Sequence, residues 1–103
     1  MDYTLIFKAL SNETRLQLLK WLKEPNKHFT TNAQHCDTGD FNGGVCVGSI
    51  QEKAGLSQST TSQYLAMLQR AGLLEAKRIG QWTYYRRNEE ALRELAAWIK
   101  RDL

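Results

Sequence analysis

The chain has 103 residues, 42% of them apolar and 24% charged, with a formal net charge of +3. Those fractions are those of an ordinary globular protein, and the length leaves room for one domain with a modest core, so a partner subunit is an expected source of further burial. No apolar run reaches membrane-spanning length and charges interrupt MDYTLIFKALSNE; a membrane span and a signal peptide are therefore not expected, and the compartment expected is the cytoplasm.

The first predicted helix carries Tyr3, Ile6, Phe7 and Leu10 at i, i+3, i+4 and i+7, one apolar stripe. Ser11 offers a cap for a second helix running to about Glu24, whose Leu16, Leu18, Leu19, Trp21 and Leu22 are numerous enough to be central to the core. Pro25 disfavours helical geometry at Glu24 and marks the stop, so residues 1–24 form an N-terminal helical unit. Residues 25–45 are polar and lack periodicity, and read as an inserted loop.

Order returns over 46–72. Ser49 and Glu52 fit a capping box for a short helix ending near Ala54, with a start one turn earlier also allowed. Gly55 and Leu56 make a tight turn, Ser57 caps the next helix, and Gly72 sits where a helix C-terminus favours positive φ. Two helices joined by a short Gly-containing turn are the helix-turn-helix arrangement. In the second of them Thr61, Leu65 and Leu68 share one face and should pack inward. Gln58, Ser59, Thr60, Ser62, Gln63 and Tyr64 form the other. Hydroxyl and amide side chains at a helix N-terminus can reach base edges and phosphates in a major groove, and so many hydroxyls are poor choices for an idle helix face.

Residues 73–87 read as a β-hairpin around Gly80–Gln81, a two-residue loop of type II′. The turn pairs Ile79 with Trp82, Arg78 with Thr83, Lys77 with Tyr84, Ala76 with Tyr85 and Glu75 with Arg86. Lys77, Arg78 and the tip can then meet a phosphate backbone. Residues 56–88 hold Arg70, Lys77, Arg78, Arg86 and Arg87 against Glu75 alone, a local balance of +4 that leaves −1 elsewhere, and this suits an anionic partner such as nucleic acid. Asn88 caps a last helix over 88–103, where Glu89 and Glu90 favour the positive end and Leu92, Leu95, Ala96 and Ile99 repeat the apolar stripe. The stripes of the first and last helices fit a dimer seam and equally fit ordinary core packing.

FKALSNETRLQLLKWL, followed by VGSIQEKAGLSQSTTSQYLAMLQRAGLLEAKRIGQWTYYRRN, resembles the ArsR/SmtB family of bacterial winged helix-turn-helix repressors over residues 3–24 and 45–100. The resemblance implies a mainly α fold with a small β-hairpin wing. It also implies a homodimer built from the first and last helices, repression through a palindromic double-stranded DNA operator, and release by an inducer. Cys46 in GVCVGSI matches the first cysteine of that family's Cys-x-Cys metal motif, but Gly48 stands where the second would be, and the last helix has no histidine for the other familiar metal site.

Within HCDTGDFNGGVC, three readings stay open. His35, Cys36 and Cys46, with Asp37 or Asp40, could bind a metal or metalloid, although Cys-x9-Cys with one adjacent His is not a zinc spacing. Cys36 and Cys46 could sense oxidants or electrophiles, since Cys46 precedes a helix N-terminus that favours thiolate. The stretch could also be an inert loop with Cys46 packed as a small hydrophobe. No cofactor is otherwise called for. An enzyme is not expected, because the histidines are only His28 and His35 and no nucleophile elbow or phosphate loop occurs. A winged-helix module that binds protein and no DNA is the alternative from a different class, and a salt-dependent DNA titration separates the two.

Overall fold

The local chemistry of each helix start is visible in the computed structural model, which describes residues 1–29 and 41–103. The Asp2 carboxylate accepts the Leu5 N–H at 3.1 Å and opens α1 (Tyr3–Leu10). Asn12, and not Ser11, opens α2 (Glu13–Lys23) by accepting the Arg15 N–H at 2.9 Å. The cap moves by one because a cap needs extended backbone, which Asn12 has (φ −160°, ψ 127°), whereas the Ser11 N–H is already bonded to Lys8 O at the end of α1.

The expected loop over 25–45 is bounded by structure at both ends. Pro25 stops α2 by becoming the first residue of a helical turn, α3 (Pro25–His28), where its missing N–H costs nothing. Val45 and Cys46 form a short strand, β1 (Val45–Cys46). It pairs antiparallel with β3 (Trp82–Arg87), which also pairs with β2 (Leu74–Ile79), so the sheet order is β1-β3-β2. The hairpin therefore gains a third strand that two residues without periodicity could not announce. Its register is the expected one throughout, and Gly80 at φ +63° with no positive φ at Gln81 agrees with the II′ turn.

Cys46 also starts α4 (Val47–Ala54), so the Ser49–Glu52 box is inside that helix and the earlier start holds. Ser57 caps α5 (Gln58–Arg70), and Asn88 caps α6 (Glu89–Asp102) by accepting the Ala91 N–H at 3.1 Å. At the end of α5 the Leu73 N–H reaches Leu68 O and the Gly72 N–H reaches Gln69 O, a Schellman motif that places Gly72 at φ +81°.

The core joins Ile6, Leu18, Leu22, Ile50, Leu65, Leu68, Leu73 and Leu95 from five helices and the entry to the wing. Two expected apolar stripes are rotated relative to it. On α2, Leu16 is 44% exposed and Arg15 is buried in its place, its guanidinium satisfied by backbone carbonyls of α1. On α6, Ala91 and Leu95 face inward while Ala96 and Ile99 remain exposed. Trp98 instead ties α6 to α1, stacking on Tyr3 at a centroid distance of 3.8 Å. A second small cluster of Phe41, Cys46 and Tyr84, with Ile79 against it, lies on the other face of the sheet. No helix among the described residues is long and apolar enough to cross a membrane.

Candidate nucleic-acid interface

α5 is held on one side and open on the other. Thr61, Leu65 and Leu68 are fully buried, as their spacing predicts, and the Thr61 hydroxyl donates to Ser57 O at 2.8 Å so that no polar group is stranded. Gln58, Ser59, Ser62 and Gln63 are exposed together over the first two turns. Thr60 is half-buried and its hydroxyl is taken up by the Ser57 cap at 3.0 Å. Tyr64 is half-buried too, and its ring lies 5.1 Å from the Arg15 guanidinium carbon. Of the six side chains singled out in the sequence, four thus form one uncharged hydrogen-bonding surface, and Thr60 and Tyr64 sit at its inner edge.

The wing supplies charge. Lys77 and Arg78 are exposed, and Arg78 Nε donates to Gly80 O at 3.2 Å, which braces the side chain along the turn. The other strand's cations have acidic partners: Arg86 bonds Glu75 at 2.9 Å, as the register predicts, while its guanidinium covers Phe41 at 4.1 Å, and Arg87 bonds Glu89 at 3.1 Å. Of the cations between residues 56 and 88, Arg70 at the end of α5 and Lys77 and Arg78 on the wing are exposed, while Arg86 and Arg87 are half-buried. On the core side of the wing, burial pushes the Tyr85 phenol above its usual value.

Two residues near this surface were not singled out. Trp82 flanks the turn and is 37% exposed because the hairpin outruns the core beneath it; strand periodicity marks it as apolar without saying where the core stops. Arg15, one charged residue of an amphipathic helix, carries no local signal that separates it from a solvated one.

Cys46 is 3% exposed, lies opposite Tyr84 in the sheet and packs with Phe41 and Tyr84. Its backbone caps α4, but its side chain makes no capping hydrogen bond. His35, Cys36, Asp37 and Asp40 lie outside the described residues. Among the described residues no group of three or more His, Cys, Asp or Glu side chains is placed to hold a metal ion.

The family model described as bacterial regulatory protein, arsR family, matches residues 42–76, the span from the turn before β1 through the helix-turn-helix into β2. The chain is 53% identical over 98 residues, covering 95% of both sequences, to YbzH of Bacillus subtilis, described as an uncharacterized HTH-type transcriptional regulator. It is 28% identical over 94 residues to the transcriptional repressor SdpR of Bacillus subtilis, covering 91% of this chain and 84% of that protein. Among solved structures, it is similar to the homodimeric winged helix-turn-helix DNA-binding domain Mb0332 of Mycobacterium bovis, described as a possible ArsR-family transcriptional regulator. There the identity is 32% and the TM-score 0.65, over 95% of this chain and 74% of that one. With the helix-turn-helix, the wing and a 53%-identical relative all agreeing, the chain belongs to the ArsR family of winged helix-turn-helix transcriptional regulators and is not an enzyme.

Proposed function

We propose that this chain is a homodimeric repressor working in the cytoplasm, which binds a palindromic DNA operator and leaves it when an inducer acts. The observation that carries the reading is the uncharged surface of Gln58, Ser59, Ser62 and Gln63 on a helix whose opposite face is locked into the core, beside exposed Lys77 and Arg78. Gln and Ser side chains at the N-terminal end of α5 read base edges in the major groove, while the wing cations contact the phosphate backbone. Thr60 and Tyr64 border that contact.

Support for the dimer comes from α1 and α6. Phe7 (39% exposed) lies beside the Trp98 ring, which also stacks on Tyr3 of α1, and Ile99 (40% exposed) follows Trp98 in α6; a small domain gains from covering such exposed apolar residues. A two-fold pair would present two copies of α5 to two half-sites. Ile99→Glu should convert a dimer to a monomer in sedimentation at micromolar concentration and weaken operator binding with it; a wild-type monomer would contradict this part of the reading.

Induction is assigned to oxidation or alkylation of Cys46, alone or with Cys36. Support is positional: Cys46 joins the start of α4 to the wing strand, so an added group there would push Tyr84 and Phe41 apart and move the wing. Sγ must first leave its buried pocket, because a thiol reacts as an exposed thiolate. A metal or metalloid bound by His35, Cys36 and Cys46 is the competing inducer. The test is a fluorescence-anisotropy titration of DNA from upstream of the chain's own gene, with reduced protein and again after a mild thiol oxidant. Release abolished by Cys46→Ser supports thiol sensing; equal binding by both forms rules it out and turns attention to metals. If no salt-dependent DNA binding occurs at all, the fold serves as a protein-interaction module instead.

A further inference from the structure

We propose that Arg15 is a positioning residue for DNA recognition, its guanidinium fastening the C-terminal end of α1 to Tyr64 so that the reading face of α5 is aimed through the helix that carries the dimer surface. The proposal rests on the DNA-reading function argued above and names a part of its machinery. Arg15 is the third residue of α2 and only 8% exposed. Its Nε donates to Ala9 O at 2.6 Å and its Nη2 to Lys8 O at 3.1 Å. Those carbonyls belong to the last turn of α1, where helix geometry leaves acceptors over and the partial negative charge of the helix end favours a cation. The guanidinium carbon stands 5.1 Å from the centre of the Tyr64 ring, and Tyr64 directly follows Ser62 and Gln63 in α5.

One side chain thus touches two elements with different tasks. Only arginine can do so in this way. Its planar fork spans two neighbouring carbonyls while its central carbon stands over the ring; lysine offers a point charge without a fork, and an apolar residue would leave Ala9 O without its buried donor. Because α1 also packs directly on α5, a shift of α1 upon dimer formation is delivered at Tyr64, one residue from the bases' proposed readers. The link gives dimer geometry a route to the recognition helix that does not pass through the wing.

The test uses full-length wild type, Arg15→Lys, Tyr64→Leu and the double variant, titrated against the upstream duplex and a scrambled duplex of equal length, with the dimer followed by sedimentation. Each single change should weaken binding to the upstream duplex about tenfold and to the scrambled one by less than about twofold, with the dimer retained. The double variant should be no weaker than the worse single, since both break one link. Losses that multiply in the double variant, as they would if Tyr64 simply touched DNA, overturn the proposal, and so do equal losses on both duplexes. Amide hydrogen exchange without DNA provides a second readout. Arg15→Lys should speed exchange at residues 61–66 of α5, and unchanged rates there overturn the link. Should wild type fail to distinguish the duplexes, the DNA-reading function falls while exchange still decides the link. Should Arg15→Lys not fold, Tyr64→Leu must speed exchange in the last turn of α1, and its failure to do so is equally fatal.

Discussion

α5 and the wing are proposed to meet the same DNA, yet they are built in opposite ways. α5 is anchored along its inner face by fully buried Thr61, Leu65 and Leu68 and exposes an uncharged surface over its first two turns. The wing is anchored at its base by Leu74 and in its middle by Tyr84, and it leaves Trp82 at the tip 37% exposed beside Lys77 and Arg78. The difference follows what each contact demands. Hydrogen bonds to base edges are lost over fractions of an ångström and need a rigid support, whereas attraction to phosphate acts at longer range and tolerates a hairpin whose tip stands clear of the core.

The comparison can be broken most forcefully at the anchor of α5. Leu68→Ala should cost about 2–5 kcal/mol of stability in urea unfolding, because it empties a site in the main core; a loss under about 1 kcal/mol would mean that α5 is held elsewhere. Next in size, Gln63→Ala should cost about 1–3 kcal/mol of operator binding and little on a scrambled duplex. Equal losses on both would turn Gln63 into a backbone contact and erase the distinction from the wing. Ser57→Ala removes the acceptor for the Thr60 N–H and should lower stability by about 1 kcal/mol, read in the same urea experiment. The smallest effect belongs to the wing. Lys77→Ala or Arg78→Ala should reduce the slope of log affinity against log salt by about 1 each, alike on both duplexes. An unchanged slope would leave the wing without a phosphate contact.

Much of this molecule was legible from local chemistry. The wing register follows from one two-residue turn, because strand side chains alternate with period two and no other pairing keeps Glu75 opposite Arg86. The ends of α5 follow from Ser57 and Gly72, since an N-cap acceptor and a positive-φ residue are needed wherever a helix begins or stops in this manner. Its inner face follows from the helical spacing of Thr61, Leu65 and Leu68.

What the tertiary structure decided concerns partners distant in the chain. β1 exists because Val45 and Cys46 find Tyr85 and Tyr84, and two residues carry no period of their own. Helical spacing identifies which residues share a stripe, but a few tens of degrees of rotation decides which edge meets the core; hence Leu16 and Ile99 emerge while Arg15 turns inward. Cys46 shows the same division: its place beside a helix start can be read from neighbouring residues, but its burial with Phe41 and Tyr84 cannot. The sequence by itself determined where helices cap, where the hairpin turns and which surface of α5 is polar, because those depend on residues within a few positions of one another. Only the fold could decide what each surface is pressed against, and so only the fold brought Arg15 from α2 to the end of one helix and the flank of another.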